Sequence, residues 1–288
     1  MASYNKTILV LGARGLLGHT LYAYLKTHNK QNVIGTSHSP SKNLLACDEK
    51  NIISVISSIG PISYVINCIG ALRTTTKQPK KILFSINASL PLTIASIAET
   101  HPFRLIHIST DGVYPPTSGP VDEKTPPSPI DIYGKSKLLG EPASCSALTI
   151  RTSIIGLDPI HHHSLLEWVL RNKEGAVQGY TNQIWSGCTS LQLAKYIQSI
   201  IAHDCFDNIR AQTPIMHYAP LGPTRKYDLI KKFIEIAKMK NIRLIPSKGP
   251  PIQRFLISRY TAILHDVESK TTIKNALSAL MKFENQSL

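Results

Sequence analysis

The stretch Thr7-Ile-Leu-Val-Leu11-Gly12-Ala-Arg14-Gly15-Leu16-Leu17-Gly18 decides the fold of this 288-residue chain. Five apolar or β-favouring residues run straight into glycines spaced G-x-x-G-x-x-G, and Leu21 and Leu25 then recur at helical spacing. A strand that turns on glycine into a helix gathers backbone N–H groups and the positive end of the helix dipole at one point, which suits a pyrophosphate. Glycine supplies the tight turn and lets the ligand approach the main chain closely. Gly12, Arg14, Gly15, Leu16, Leu17 and Gly18 are therefore the first candidate contacts of a dinucleotide.

Working outward, further β-rich runs fall at Asn32 to Thr36, Tyr64 to Cys68, Arg104 to Ile108 and Ala147 to Arg151. Helical stripes lie between them, among them Ile82, Ile86, Leu90, Ile94 and Ile97. Strands alternating with helices predict βαβ units, hence an α/β fold with a Rossmann-like, doubly wound parallel sheet. The cofactor-binding domain with the catalytic residues is expected over 1–155. A smaller C-terminal substrate lobe is expected over 156–288, with room to return a strand or helix to the sheet. Between them the Pro-rich run from Pro115 to Pro129 predicts an exposed loop over the site.

The totals narrow the function classes. Five scattered cysteines without a C-x-x-C pair predict buried thiols of a reducing compartment. No secretory leader is recognisable and no apolar stretch is expected to approach the length of a membrane span, so the expectation is a cytoplasmic protein with no membrane partner. The net charge of +14 invites a nucleic-acid reading, but from Gly222 onward 13 basic and 5 acidic residues are interleaved with apolar ones at helical spacing. A solvated basic face, or a field that gathers anionic ligands, accounts for the charge, and no nucleic-acid partner is expected. His161-His162-His163 are adjacent loop residues that cannot all face one ion, so no metal is expected.

At the end of the second strand, where NAD-specific proteins place an acid on the ribose, this chain has Thr36-Ser37-His38-Ser39. Arg14, Ser37, His38 and Lys42 could instead meet a 2′-phosphate, which favours NADPH over NADH. Asp48 either accepts from the adenine amino group or stands solvated.

Three pieces carry the chemistry: Ser109-Thr110-Asp111-Gly-Val-Tyr114, Tyr133-Gly-Lys-Ser-Lys137, and Asn87 on the preceding helix. A free phenol is a poor base at neutral pH, but a lysine four residues on shares its helix face and favours the phenolate. With the glycine motif, these residues resemble the extended short-chain dehydrogenase/reductases, and within them the nucleotide-sugar reductases of the dTDP-4-dehydrorhamnose reductase type. Asn67-Cys68-Ile69-Gly70 is similar to that family's cofactor-contacting N-x-A-G segment. The resemblance implies Thr110, Tyr133 and Lys137 as catalytic residues, with Tyr133 as proton donor and both Tyr133 and Lys137 on the cofactor. It implies Cys68, Ile69, Gly70 and Asn87 as further cofactor contacts, and Asp111 and Arg151 on the substrate side. Trp185, in a stretch similar to the family's substrate lobe, offers a surface for the sugar or a core anchor.

The resemblance implies an oxidoreductase that reduces a nucleotide-linked 4-keto-6-deoxy sugar with NADPH, in polysaccharide biosynthesis, and it leaves a homodimer open. An epimerase or dehydratase of the same superfamily, and a non-catalytic subunit similar to the methionine adenosyltransferase β subunit, are the alternatives.

Overall fold

The computed structural model describes residues 7–39, 41, 43–72, 79–260 and 271–287. The first half runs β1 (Thr7–Leu11), α1 (Gly18–His28), β2 (Asn32–Ser37), β3 (Leu44–Ala46), α2 (Ile52–Ser58), β4 (Ile62–Asn67), α3 (Lys80–Phe84), α4 (Leu90–Thr100), β5 (Arg104–Thr110), β6 (Pro120–Val121), α5 (Ile132–Leu139), β7 (Ala147–Thr152) and β8 (Ile154–Ile155). The second runs α6 (Leu165–Arg171), β9 (Ala176–Tyr180), β10 (Ile184–Thr189), α7 (Ser190–Ala202), α8 (Phe206–Gln212), β11 (Ile215–His217), β12 (Leu221–Arg225), α9 (Lys226–Ile236), β13 (Arg243–Ser247), β14 (Phe255–Leu256) and α10 (Ile273–Ser287).

Seven parallel strands pair in the order β11-β7-β5-β4-β1-β2-β3, the α/β Rossmann-like sheet expected from the sequence. The strand order reverses between β1 and β4, and at such a switch point the chain leaves a crevice beyond the carboxyl ends of the strands. Alternation along β1 shows how the sheet is covered. Ile8 and Val10 face a core built with Leu21 and Leu25 of α1 and Leu193, Ile197 and Ile200 of α7, whereas Leu9 and Leu11 face Ile52 and Ile56 of α2 and Ile94 of α4. All five residues of β1 are buried, which is why its sequence is continuously apolar.

Residues beyond 155 complete this sheet, since β11 pairs with β7 and α7 covers one face. A third core, formed by α6, α9 and α10 with Val177, Trp185 and Leu221, holds the remainder of the second half.

Four features depart from the sequence reading. The edge strands β3 and β11 are each three residues long, too short for a periodic signal. The Pro-rich segment is pinned as well as looped: Pro120 and Val121 pair in parallel with Phe255 and Leu256, and Val121 is buried. Proline is tolerated there because it opens an edge strand. Ser85–Ser89 form a π turn joining α3 and α4, and Pro91 falls just after it, in the first turn of α4. A π turn re-spaces the backbone hydrogen bonds and so accommodates the missing proline donor. The helix thus runs unbroken for 21 residues, Lys80–Thr100, and is long and apolar enough by length and composition to cross a membrane, contrary to the sequence expectation. Here Leu90, Ile94 and Ile97 are spent on the sheet.

Candidate active site

The glycine loop has the shape its spacing predicts. Gly12 adopts φ 75°, and a Cβ on Gly18 would lie 2.0 Å from the Gly12 carbonyl oxygen, so only glycine lets α1 start against the turn. Thr36 at the end of β2 fixes the loop, its carbonyl accepting from Ala13 N at 2.7 Å and its Oγ1 accepting from Gly12 N at 3.3 Å. This cradle, at the switch point and at the N-terminus of α1, fits a dinucleotide pyrophosphate.

Arg14 in the loop is half-buried and makes no hydrogen bond or ion pair among the described residues. His38, just past the end of β2, is exposed, while Ser37 is buried and donates to the Ser39 carbonyl at 2.5 Å. Lys42 lies outside the described residues. Asp48 Oδ1 accepts from Lys50 N and Asn51 N, bonds that hold its carboxyl below the usual range and shape the entry to α2.

Across the crevice, β4 ends in the Asn67-Cys68-Ile69-Gly70 turn, closed by a bond from Ile69 N to Asn67 Oδ1 of 3.0 Å. Asn87 binds the next residue twice: its Oδ1 accepts from Ala71 N at 2.8 Å and its Nδ2 donates to Ala71 O at 2.9 Å. The second Nδ2 hydrogen goes to Ser136 Oγ at 3.0 Å, and Ser136 donates to the Tyr133 carbonyl at 2.8 Å. With both donors bonded to protein, buried Asn87 braces the cofactor-side turn against α5.

Thr110 ends β5 and caps the short turn Asp111–Val113, its Oγ1 accepting from Gly112 N at 3.1 Å. Asp131 caps α5 through Gly134 N at 2.7 Å, and this helix carries Tyr133 and Lys137 into the crevice. The Lys137 Nζ is buried and donates to the Ile108 carbonyl at 2.7 Å. Burial lowers Lys137 to about 8 against the opposing charges of Glu141 and Cys68. Burial also pushes the Tyr133 phenol up to about 12, with a Thr110 hydrogen bond pulling the other way. The sequence reading, in which Lys137 favours the phenolate, is therefore not met in the protein alone: desolvation wins, and Tyr133 keeps its proton.

On the substrate side Asp111 accepts from Arg254 Nε at 3.0 Å, and Arg254 Nη1 donates to the Tyr114 carbonyl at 2.8 Å. Arg259 pairs with Asp122 at 2.8 Å. Lys226, at the start of α9, is half-buried and feels the charges of Asp111 and Arg254, its own value lowered chiefly by burial. Sequence reasoning missed Lys226, which reads there as one more base in a basic tail.

Two residues expected on the substrate side are engaged within the protein. The Arg151 guanidinium is 2% exposed and chelates Glu141, Nε to Oε1 at 2.9 Å and Nη2 to Oε2 at 2.6 Å, while Nη1 donates to Tyr114 Oη at 2.5 Å. Such a buried pair needs its donors for itself. Trp185 is 8% exposed, packs in the third core, and donates Nε1–H to Ser153 Oγ at 2.9 Å, so it anchors the core and offers no face to a sugar. Glu141 also went unread, although an acid just past the helix end and an arginine on the next strand were close in sequence.

Several known proteins resemble this chain. A dTDP-4-keto-6-deoxy-D-glucose reductase from Streptomyces niveus is 26% identical over 274 residues, covering 90% of this chain and 88% of the relative. A methionine adenosyltransferase 2 subunit beta from Danio rerio is also 26% identical, over 85% of this chain and 78% of its own length. Among solved structures, a dTDP-4-dehydrorhamnose reductase from Bacillus anthracis in complex with NADP superposes with a TM-score of 0.80 at 18% identity, covering 98% of this chain and 99% of that one. The Clostridium acetobutylicum dTDP-4-dehydrorhamnose reductase gives 0.79 at 20%, with 97% and 99% covered. At these identities the structures share the fold. Residues 6–255 match the RmlD substrate binding domain family, and the chain belongs to that family.

Proposed function

We propose that the chain is an NADPH-dependent reductase of a nucleotide-linked 4-keto-6-deoxy sugar, working in the cytoplasm, where its five thiols stay unpaired. The observation that carries the reading is the convergence of Thr110, Tyr133 and Lys137 on one crevice, opposite a glycine cradle that fits a dinucleotide. NADPH, when bound, supplies the hydride.

The protein's share is binding, orientation and one proton. The glycine loop and the N-terminus of α1 would hold the pyrophosphate, and Arg14 with His38 would meet the 2′-phosphate. Because burial keeps the proton on Tyr133, the phenol enters the reaction as an acid and donates to the substrate carbonyl oxygen, with Thr110 hydrogen-bonding the same oxygen. Lys137, cationic and fixed by Ile108 O, would steady the phenolate left behind and hold the ribose hydroxyls. In this reading the proton chemistry sits in residues 1–155. The sugar nucleotide is held mainly by 156–288, from which Arg254 reaches Asp111 and Lys226 adds a second positive charge nearby.

The test is NADPH absorbance with a panel of nucleotide-linked 4-keto-6-deoxy sugars, beside Tyr133→Phe. Turnover of one sugar that the variant loses, with NADPH binding retained, is the expected result; full activity in the variant would remove Tyr133 as proton donor. The likeness to methionine adenosyltransferase β subunits favours a second, regulatory reading, which predicts cofactor binding without turnover of any sugar. An epimerase would convert its substrate with no net NADPH consumption.

A further inference from the structure

The chemistry above makes no use of the pair His19 and Glu284. His19 follows the last glycine of the dinucleotide loop on α1, and Glu284 lies on α10, the last helix of the chain. His19 Nδ1 stands 2.9 Å from the Gly15 carbonyl oxygen, and Nε2 stands 2.9 Å from Glu284 Oε2. Carbonyl and carboxylate oxygens only accept, so both ring nitrogens donate, and a ring with two N–H groups is the imidazolium. Glu284 is 3% exposed and His19 19%, so little water competes for either. The second Glu284 oxygen accepts from Thr20 Oγ1 at 2.9 Å, which fixes the carboxylate against α1.

We propose that His19 and Glu284 form a proton-dependent clasp between the last helix and the dinucleotide loop, so that His19 is a positioning residue whose protonation sets cofactor affinity. The inference rests on the reading of that loop as the NADPH site. While protonated, His19 pins the Gly15 carbonyl from below and holds the turn between Gly12 and Gly18 in its cradle shape. Without the proton, one ring nitrogen carries a lone pair facing an oxygen lone pair. One of the two bonds is lost, and the loop or α10 shifts.

The groups that face the ring come from three elements: Glu284 on α10, Asp158 on the loop after β8, and Thr20 and the Gly15 carbonyl on its own segment. Burial by itself lowers the His19 value, but the hydrogen bond and charge of Glu284, the Gly15 bond and the charge of Asp158 outweigh it, leaving the value above 6.5. The sign follows. The clasp is complete below 6.5 and is lost as pH rises through the raised value, so cofactor affinity falls on the alkaline side.

The test uses the full chain, as wild type and Glu284→Gln, with two readouts between about pH 6 and 9: the His19 ring titration by NMR, assigned with His19→Gln, and the NADP+ dissociation constant by calorimetry. The Gln amide still accepts from the ring, so the variant removes the charge and keeps the contact. In the wild type the expected His19 midpoint lies above 6.5, with Kd rising about three- to tenfold across it. In Glu284→Gln both midpoints should move down together by about one pH unit. A His19 midpoint at or below 6.5, or one that Glu284→Gln leaves in place, overturns the clasp whatever the cofactor does. A His19 midpoint that moves while the NADP+ profile stays put overturns the link to the loop. No NADP+ binding at any pH overturns the cofactor reading and that link with it, while the ring titration still decides the ion pair.

Discussion

A Cβ placed on Gly134 would lie 2.2 Å from the Gly112 carbonyl oxygen, so the helix that carries Tyr133 packs main chain to main chain on the turn that follows Thr110. This contact sets how far the phenol stands from the strand end. A second one, between Gly140 and the Asn87 carbonyl, where a Cβ would come within 1.9 Å, seats the other end of the same helix.

Gly134→Ala should therefore push α5 off the turn and misplace Tyr133 while leaving the glycine loop alone. The expected outcome is a fall in kcat of about a hundredfold with a much smaller loss of NADPH affinity through the shifted Lys137, since small displacements of reacting groups carry penalties of that order. Steady-state kinetics beside NADPH titration checks it. An unchanged kcat would mean that the contact has slack.

Arg151 and Glu141 make the opposite case, a charged pair close to the site whose work is internal. Arg151→Met should leave Glu141 buried and uncompensated and cost about 3–5 kcal/mol in urea unfolding. Glu141→Gln combined with Arg151→Met should recover part of that loss. If Arg151→Met kept its stability but raised KM for the sugar nucleotide, Arg151 would return to the substrate side.

Arg14 makes no hydrogen bond or ion pair among the described residues, and the end of β2, where an NAD-specific protein carries an acid, has none. Arg14→Ala should weaken NADPH binding by about tenfold or more and leave NADH nearly unchanged, because only the 2′-phosphate loses a charged partner. Fluorescence titration with both cofactors decides it; an equal loss for both would place Arg14 on the shared pyrophosphate.

The sheet was legible because its central strands are buried on both faces and flanked by glycine or helix signals, as at Thr7–Leu11, where strand and loop coincide with the reading residue for residue. Edge strands β3 and β11 were not, since three residues carry no period and their place depends on neighbours far along the chain. The glycine loop and the Tyr133 helix are local motifs, and the structure brings them to one crevice. For Arg151 and Trp185 the sequence shows polarity and aromatic area, but the partner that engages them, Glu141 or Ser153, is set by packing. Lys226 was invisible because only the fold brings it near Asp111.

Lys137 shows what the site costs the fold. Burial lowers its ammonium from 10.5 to about 8, with the charges of Glu141 and Cys68 opposing. Between those two values the unfolded chain binds more protons than the folded one, so stability rises with pH across that window, and at pH 7 the buried charge is a net penalty. Allowing for its hydrogen bond to Ile108 O, that penalty is about 2–3 kcal/mol. Lys137→Met should accordingly abolish turnover yet raise stability at pH 7 by about 2 kcal/mol, with the gain fading as pH approaches 10.5. Urea unfolding of both proteins near pH 7 and near pH 10 measures this directly. A variant less stable than the wild type at pH 7 would show that the Ile108 bond outweighs desolvation, and that Lys137 is retained for the fold as well as for the reaction.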